Sequence, residues 1–256
     1  MNLRLILEFT KRDFTEKYAG SLLGVVWAFI YPLVMITIYA VVFSNIMGAK
    51  LSPGQGSGFS YVSYLVAGII PWTAFANTIM RSSTVFLEKK GVISKVHLSL
   101  PLLPLYIVLS ETITFIITFL LYLILLIVMG MPLYKSIIFI PFIYVVHQIF
   151  AYALGLFFAM MVVFIRDFKE LINVAFQIWF WLTPIVYVMD IVPTIMRVAM
   201  DFNPAYLFIS AYHDIFVYGK YPDFISLLIL AVSGHVILLF SYVLFKKIEK
   251  DIRDFI

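Results

Sequence analysis

The stretch Leu22–Met47, LLGVVWAFIYPLVMITIYAVVFSNIM, contains no charged residue. A helix that crosses the hydrocarbon core of a bilayer needs about 20 predominantly apolar residues. This run exceeds that length and is too long for the apolar part of a secretory signal. Residues 1–21 before it are charged and amphipathic, so we expect no cleavable signal peptide. The composition extends the reading to the whole chain. Of 256 residues, 63% are apolar and 12% are charged, about half the charged fraction of an ordinary soluble domain.

Working outward from the first run, five more segments meet the length criterion: Tyr61–Met80, Leu105–Met129, Ile137–Ile165, Leu171–Met189 and Phe224–Phe245. The expected fold is an all-α integral membrane protein with six transmembrane helices in a single domain over residues 1–256. Lysine and arginine set the orientation. With a cytoplasmic N-terminus, fourteen of the 18 basic residues fall on inside segments and four (Lys50, Lys135, Arg197, Lys220) outside. Both termini are expected inside.

Three pieces do not fit a bare helical bundle. Residues 1–21 predict an interfacial helix, with Leu3, Ile6, Leu7, Thr10, Phe14 and Tyr18 on one face. The pairs Glu8/Arg12 and Asp13/Lys17 have the favourable acid-first i,i+4 order. Such a helix lies along a membrane surface, as an anchor or as a contact for a cytosolic partner. The inside segment from Arg81 to Pro104 is longer than a connector requires. A short amphipathic helix over Ser83–Lys90 is expected in it, and its apolar positions suggest a docking surface. The outside stretch 190–223 holds two apolar pieces too short to span, Ile191–Met200 and Ala205–Tyr218, separated by the turn signal Asn203-Pro204. It predicts a re-entrant or surface-lying half-helix hairpin, tolerated at depth only beside protein or water.

Chemistry is sparse. There is no phosphate-binding loop, no zinc-protease helix, no dinucleotide fingerprint and no nucleophile elbow. The absence of cysteine excludes disulfides and thiol chemistry. No cofactor and no nucleic-acid partner are expected for this chain. Within the spans, Glu111 is the one embedded carboxylate, and His147 and His235 read as residues hydrogen-bonded between helices. An ion-coupled secondary transporter would bury more charge near the midplane, which weighs against that alternative.

Aromatic residues make up 18% of the chain. Some belong to interfacial belts, such as Trp27 and Tyr187. Tyr39 and Phe43 share a helix face, and Phe176, Trp179, Phe180 and Trp181 crowd the fifth span. Aromatic rings can stack on sugar C–H faces while phenol and indole groups donate to hydroxyls. They can equally be ordinary packing and lipid contact, and the sequence leaves both open.

The sequence resembles the membrane subunit of ABC exporters for bacterial surface polysaccharides, the permease family of O-antigen (Wzm-type), capsule and teichoic acid export. The motifs are RDFTEKYAGSLLGVVWAFIYPL (Arg12–Leu33), AGIIPWTAFANTI (Ala67–Ile79), FIRDFKEL (Phe164–Leu171), LTPIVY (Leu182–Tyr187) and NPAY (Asn203–Tyr206). They occur in family order over nearly the whole chain. The segment FLEKKGVISKVHLSLPLLPL departs at Glu88-Lys89-Lys90 and Leu98–Pro101, where it would face an ATPase. The resemblance implies a homodimer in the bacterial cytoplasmic membrane, with two copies of a separate nucleotide-binding subunit that carries ATP and Mg²⁺. The cargo it implies is a polysaccharide on a polyprenyl-pyrophosphate lipid. On this reading an ABC permease for small lipids or drugs is the nearer alternative.

The expected site residues follow. Tyr39, Phe43, Trp27, Tyr31, Phe176 and Trp179 would line an aromatic pathway. Arg4, Lys11 and Arg12 would receive the pyrophosphate. Glu88, Lys89, Lys90 and Lys95 would couple to the ATPase. Asn203, Pro204 and Tyr206 would form an outer gate.

Overall fold

The computed structural model describes residues 3–39, 41–42, 58–93 and 99–255. Its helices are α1 (Leu3–Glu16), α2 (Trp27–Tyr39), α3 (Gly58–Glu88), α4 (Lys90–Ile93), α5 (Leu105–Val128), α6 (Ile140–Phe164), α7 (Phe168–Leu182), α8 (Thr194–Met200), α9 (Pro204–Phe216) and α10 (Phe224–Phe255). No strand occurs among the described residues.

Four helical segments are long and apolar enough to cross a membrane: Tyr61–Glu88, Leu100–Val128, Lys135–Phe164 and Phe224–Phe255. They correspond to the expected second, third, fourth and sixth spans. The most apolar stretch of α3 is 83% buried within the chain, against 22% for α5 and for α10. Helix α3 is therefore the central element. On α5 the stripe Ile116, Leu120, Ile124 and Ile127 faces outward, as do Leu228, Val232, Val236 and Leu239 on α10. In water such stripes would drive association; lipid accommodates them.

Lipid tails are as apolar as leucine, so close packing has to hold these helices together. Small residues permit it. Helix α6 lies along α3 and α10. A Cβ added at Gly155 of α6 would sit 2.7 Å from the Ser82 Cβ of α3, and one at Gly234 of α10 would meet the Phe150 backbone at 3.2 Å. Ala151, Ala153 and Ala159 continue the small-residue surface of α6. Thr78 adds a polar link, its hydroxyl donating to the Gln148 side chain at 3.1 Å.

Several boundaries differ from expectation. The second span does not end at Met80. Helix α3 runs on to Glu88 and absorbs residues 83–88 of the separate helix expected over Ser83–Lys90, while Lys90 opens α4. The reason is burial: Ser82 and Ser83 are buried, and Val85 and Phe86 pack into a second apolar cluster with Leu100, Leu103, Met160 and Phe245. The expected fifth span is a shorter helix, and the first is described only in part. Helix α2 covers Trp27–Tyr39 after a 3₁₀ turn at Gly24–Val26, and the rest of the first run is mostly outside the described residues. Helix α7 stops at Leu182, because Pro184 cannot continue it and disfavours helix at the residue before. The last helix continues ten residues past Phe245, carrying Lys246, Lys247, Lys250 and Arg253 on its final turns.

The pairing along α1 also differs. Glu8 accepts from Arg4 and Glu16 from Arg12, in place of the expected Glu8/Arg12 pair. Asp13 and Lys17 leave each other for partners on α3 and α5. A buried counter-charge is screened less than an exposed neighbour on the same helix. The histidines differ as well. His235 bonds to Ala231 O of its own helix at 2.7 Å, and among the described residues buried His147 makes no bond to another helix, its Nδ1 lacking a partner.

Candidate functional site

The sequence places one carboxylate, Glu111, inside a long apolar helix, and a charge there requires partners. The fold supplies two. Arg81 Nη1 donates to Glu111 Oε1 at 2.5 Å, and Lys17 Nζ donates to the same oxygen at 2.7 Å. The other guanidinium nitrogen of Arg81 donates to Asp13 Oδ1 at 2.5 Å. The Glu111 side chain is 2% exposed. The extension of α3 beyond Met80 brings Arg81 to this point, and α1 lies against α5, which carries Glu111. Two cations and two carboxylates thus bind three helices and the α1–α2 connection.

Beside this network lies a cavity of about 280 Å³ between α2, α3 and α5. Lys17, Tyr18 and Glu111 form part of its wall, and Tyr31, Tyr39, Thr73, Asn77, Thr114 and Thr118 add polar groups. Met35, Ile36, Val66, Ile69, Ile70 and Phe115 supply the apolar surface. Helical spacing explains the convergence. Thr73 and Asn77 are one turn apart on α3, and Thr114 and Thr118 one turn apart on α5.

A second set of polar contacts ties the sequence motifs together. The Trp179 indole donates to Asn203 Oδ1 at 2.7 Å, and Asn203 Nδ2 donates to Thr183 Oγ1 at 3.0 Å. The same Asn203 Oδ1 caps α9 by accepting from Ala205 N at 3.1 Å. Pro204 follows at the first helical position, where its missing N–H costs nothing. The Tyr64 hydroxyl lies 3.0 Å from both Pro184 O and Tyr187 O, and the Tyr61 hydroxyl donates to Val186 O. His213 stacks on Tyr64 with ring centroids 3.7 Å apart, and its Nε2 lies 3.0 Å from Tyr64 O. A Cβ at Gly68 would come within 2.9 Å of that nitrogen. The turn after α7, the start of α9 and the first turns of α3 therefore form one knot.

Among the described residues, no group of three or more histidine, aspartate or glutamate side chains could hold a metal ion. Residues 4–217 match the family model described as ABC-2 type transporter. The chain belongs to the ABC-2 type transporter family. Two proteins of Klebsiella pneumoniae, both described as O-antigen export system permease protein RfbA, are 26% identical to it over 247 residues. The match covers 96% of this chain and 92% of each relative. A protein of the same description from Myxococcus xanthus is 22% identical over 253 residues, 98% of this chain and 94% of the relative. The ABC-2 permease subunits to which it is similar are not ATPases; hydrolysis lies on a separate subunit. The resemblance read from the motifs is thereby established at the level of the family, and with it a multi-pass membrane protein.

In this ABC-2 subunit the expected site residues fall in different places. Tyr31 and Tyr39 both line the cavity, and Tyr31 is exposed. Trp27 is exposed at the start of α2. Phe43 and Lys95 lie outside the described residues. Phe176 is buried, and it packs with Trp179 around Trp72 and Phe75 at centroid separations of 5.3–6.0 Å. Arg4, Lys11 and Arg12 are exposed, and the two arginines are paired within α1. Glu88 and Lys90 are exposed, Glu88 accepts from Thr84 Oγ1, and Lys89 lies over the Tyr106 ring. Asn203 and Pro204 belong to the knot, with Tyr206 on the first turn of α9.

Sequence reasoning missed Arg81 and Lys17 as partners of Glu111 and Asp13 as the partner of Arg81, and gave no role to Asn77, Thr183 or His213. The lone embedded carboxylate was the available signal for the first group, since it demanded a cation. Asn77 and Thr183 sit inside motifs that the resemblance quoted as strings, without a role for each position.

Proposed function

We propose that this chain is the membrane subunit of an ATP-driven exporter that moves a lipid-linked polysaccharide, of the O-antigen type, across the bacterial cytoplasmic membrane. Near-full-length similarity to O-antigen export permeases carries the reading. The cargo is a glycan on polyprenyl pyrophosphate. Two copies of the chain form the translocation unit, with two ABC nucleotide-binding subunits on the cytoplasmic side, where ATP and Mg²⁺ bind. Both termini face the cytoplasm. Helices α2 and α7 complete six crossings, and α1 lies in the interface.

Trp27, Tyr31, Tyr39 and Phe43 face the glycan pathway, and Phe176 and Trp179 brace it from behind. Arg4, Lys11 and Arg12 form a basic approach for the pyrophosphate, each worth roughly 1 kcal/mol at an anionic surface. Glu88, Lys89, Lys90 and Lys95 meet the ATPase. Asn203, Pro204 and Tyr206 gate the outer exit. The cavity between α2, α3 and α5 supports this reading, because it joins aromatic rings to hydroxyl and amide groups beside apolar walls.

The test is a strain lacking this chain, supplied with it alone or with an adjacent ABC ATPase. Surface polysaccharide should vanish on deletion, with polymer accumulating on its lipid inside the cell, and return only when both subunits are present. Normal surface polymer in the deletion strain overturns the proposal.

A further inference from the structure

The geometry points to the cavity between α2, α3 and α5 as a seat for the uncharged, hydroxyl-bearing head of a membrane lipid: a sugar ring on an apolar chain. This rests on the exporter reading for its biological meaning, but the seat itself follows from four features.

The first is the hydrogen-bonding inventory. The Asn77 carboxamide makes no hydrogen bond among the described residues, and neither does the Tyr31 hydroxyl. Together they offer donors and acceptors. Thr73, Thr114 and Thr118 have committed their hydrogens to carbonyls of their own helices, at 2.8, 3.3 and 2.9 Å, and retain acceptor lone pairs. A sugar hydroxyl both donates and accepts, and this wall answers both.

The second is charge. Lys17 and Glu111 stand in the wall, with Arg81 and Asp13 behind them. Two positive and two negative groups leave no net charge. A phosphate drawn to Lys17 would meet the Glu111 carboxylate, which lies 2.7 Å from that amine. An uncharged head meets no such opposition and can bond to either partner.

The third is size. About 280 Å³ is room for roughly nine water molecules at ~30 Å³ each, near the small end of ligand pockets. That suits one sugar ring seated at a time. The fourth is the apolar surface of Met35, Ile36, Val66, Ile69 and Ile70, which provides contact for a lipid chain and for the C–H face of a ring.

The absence of cysteine permits a direct test. Thr73, exposed and part of the cavity wall, is replaced in Thr73→Cys. The full chain with its ATPase is placed in phosphatidylcholine nanodiscs. Matched discs carry a minor fraction of either monoglucosyl-diacylglycerol or phosphatidic acid with the same acyl chains. Alkylation by a maleimide should slow several-fold with the glucosyl lipid alone, and the slowing should disappear in Asn77→Leu and weaken in the milder Tyr31→Phe. Equal rates in all three lipids overturn the proposal. So does stronger protection by phosphatidic acid, or protection that survives both substitutions. The assay needs no nucleotide and no export, so its failure leaves the exporter reading standing. Normal surface glycan in the deletion strain would remove that reading without touching this result.

Discussion

The Trp179 indole and the Asn203 side chain meet at 2.7 Å, and through that contact helix α7 is fastened to the first turn of α9. Asn203 also caps α9 and donates to Thr183, so one side chain makes three hydrogen bonds. Asn203→Ala should therefore cost about 2–4 kcal/mol, from a lost cap and two further bonds at ~1 kcal/mol each. Asn203→Asp keeps both acceptor roles and should cost clearly less. Thermal unfolding of the purified subunit compares them; equal losses for the two variants would sink the idea.

Glu111 is held by two cations, and its carboxylate is nearly inaccessible. Without Arg81, Asp13 loses its cation and Glu111 keeps only Lys17; leaving a buried charge uncompensated costs roughly 3–5 kcal/mol. Arg81→Ala should thus strongly destabilise the subunit. Arg81→Ala combined with Glu111→Gln should be milder than the sum of the single changes. A double-mutant cycle on unfolding measures the coupling, and strict additivity would show that the contact contributes nothing.

Gly155 and Ser82 set how closely α6 approaches α3. Gly155→Ala would put a Cβ 2.7 Å from the Ser82 Cβ. Overpacking of this sort costs typically 1–3 kcal/mol. Adding Ser82→Gly should restore part of the loss, and the readout is the melting temperature of each variant. No recovery in the double variant would mean the helices separate in another way.

For function, charge reversal across Glu88, Lys89 and Lys90 should reduce export while leaving the fold intact, since Glu88 and Lys90 are exposed at the end of α3 and the start of α4. Nucleotide hydrolysis by the co-purified partner, assayed with and without the reversal, should lose its dependence on the membrane subunit. Unchanged stimulation of hydrolysis would place the partner contact elsewhere.

Much of this arrangement was legible in the sequence. Runs of apolar residues marked four long helices to within a few positions at most ends, and Asn203-Pro204 marked the start of α9. What periodicity could not reveal was where a helix stops when tertiary burial extends it. Charges usually end a span, so Arg81 reads as the start of an inside segment and Ser83–Lys90 as a separate short helix; Phe86 and Val85 pull the span onward into the second apolar cluster. Side-chain pairing was misread for the same reason. Spacing proposes Asp13/Lys17, whereas only the folded chain brings Arg81 and Glu111 near enough to compete. Of the cavity, Tyr31 and Tyr39 were visible as aromatics in the first run, but Asn77 and Thr118 acquire meaning only once α3 and α5 are side by side.

Helix α3 is 31 residues long without interruption, about 46 Å at 1.5 Å per residue. Near one end stand Glu88 and the Arg81 charge network; near the other, Tyr61 and Tyr64 grip the turn after α7. A helix gripped at both ends behaves as a connecting rod. A force applied beside Glu88 reaches the far turn as displacement of the whole shaft, and Pro71, where the ladder lacks one rung, is the point at which such a rod would bend.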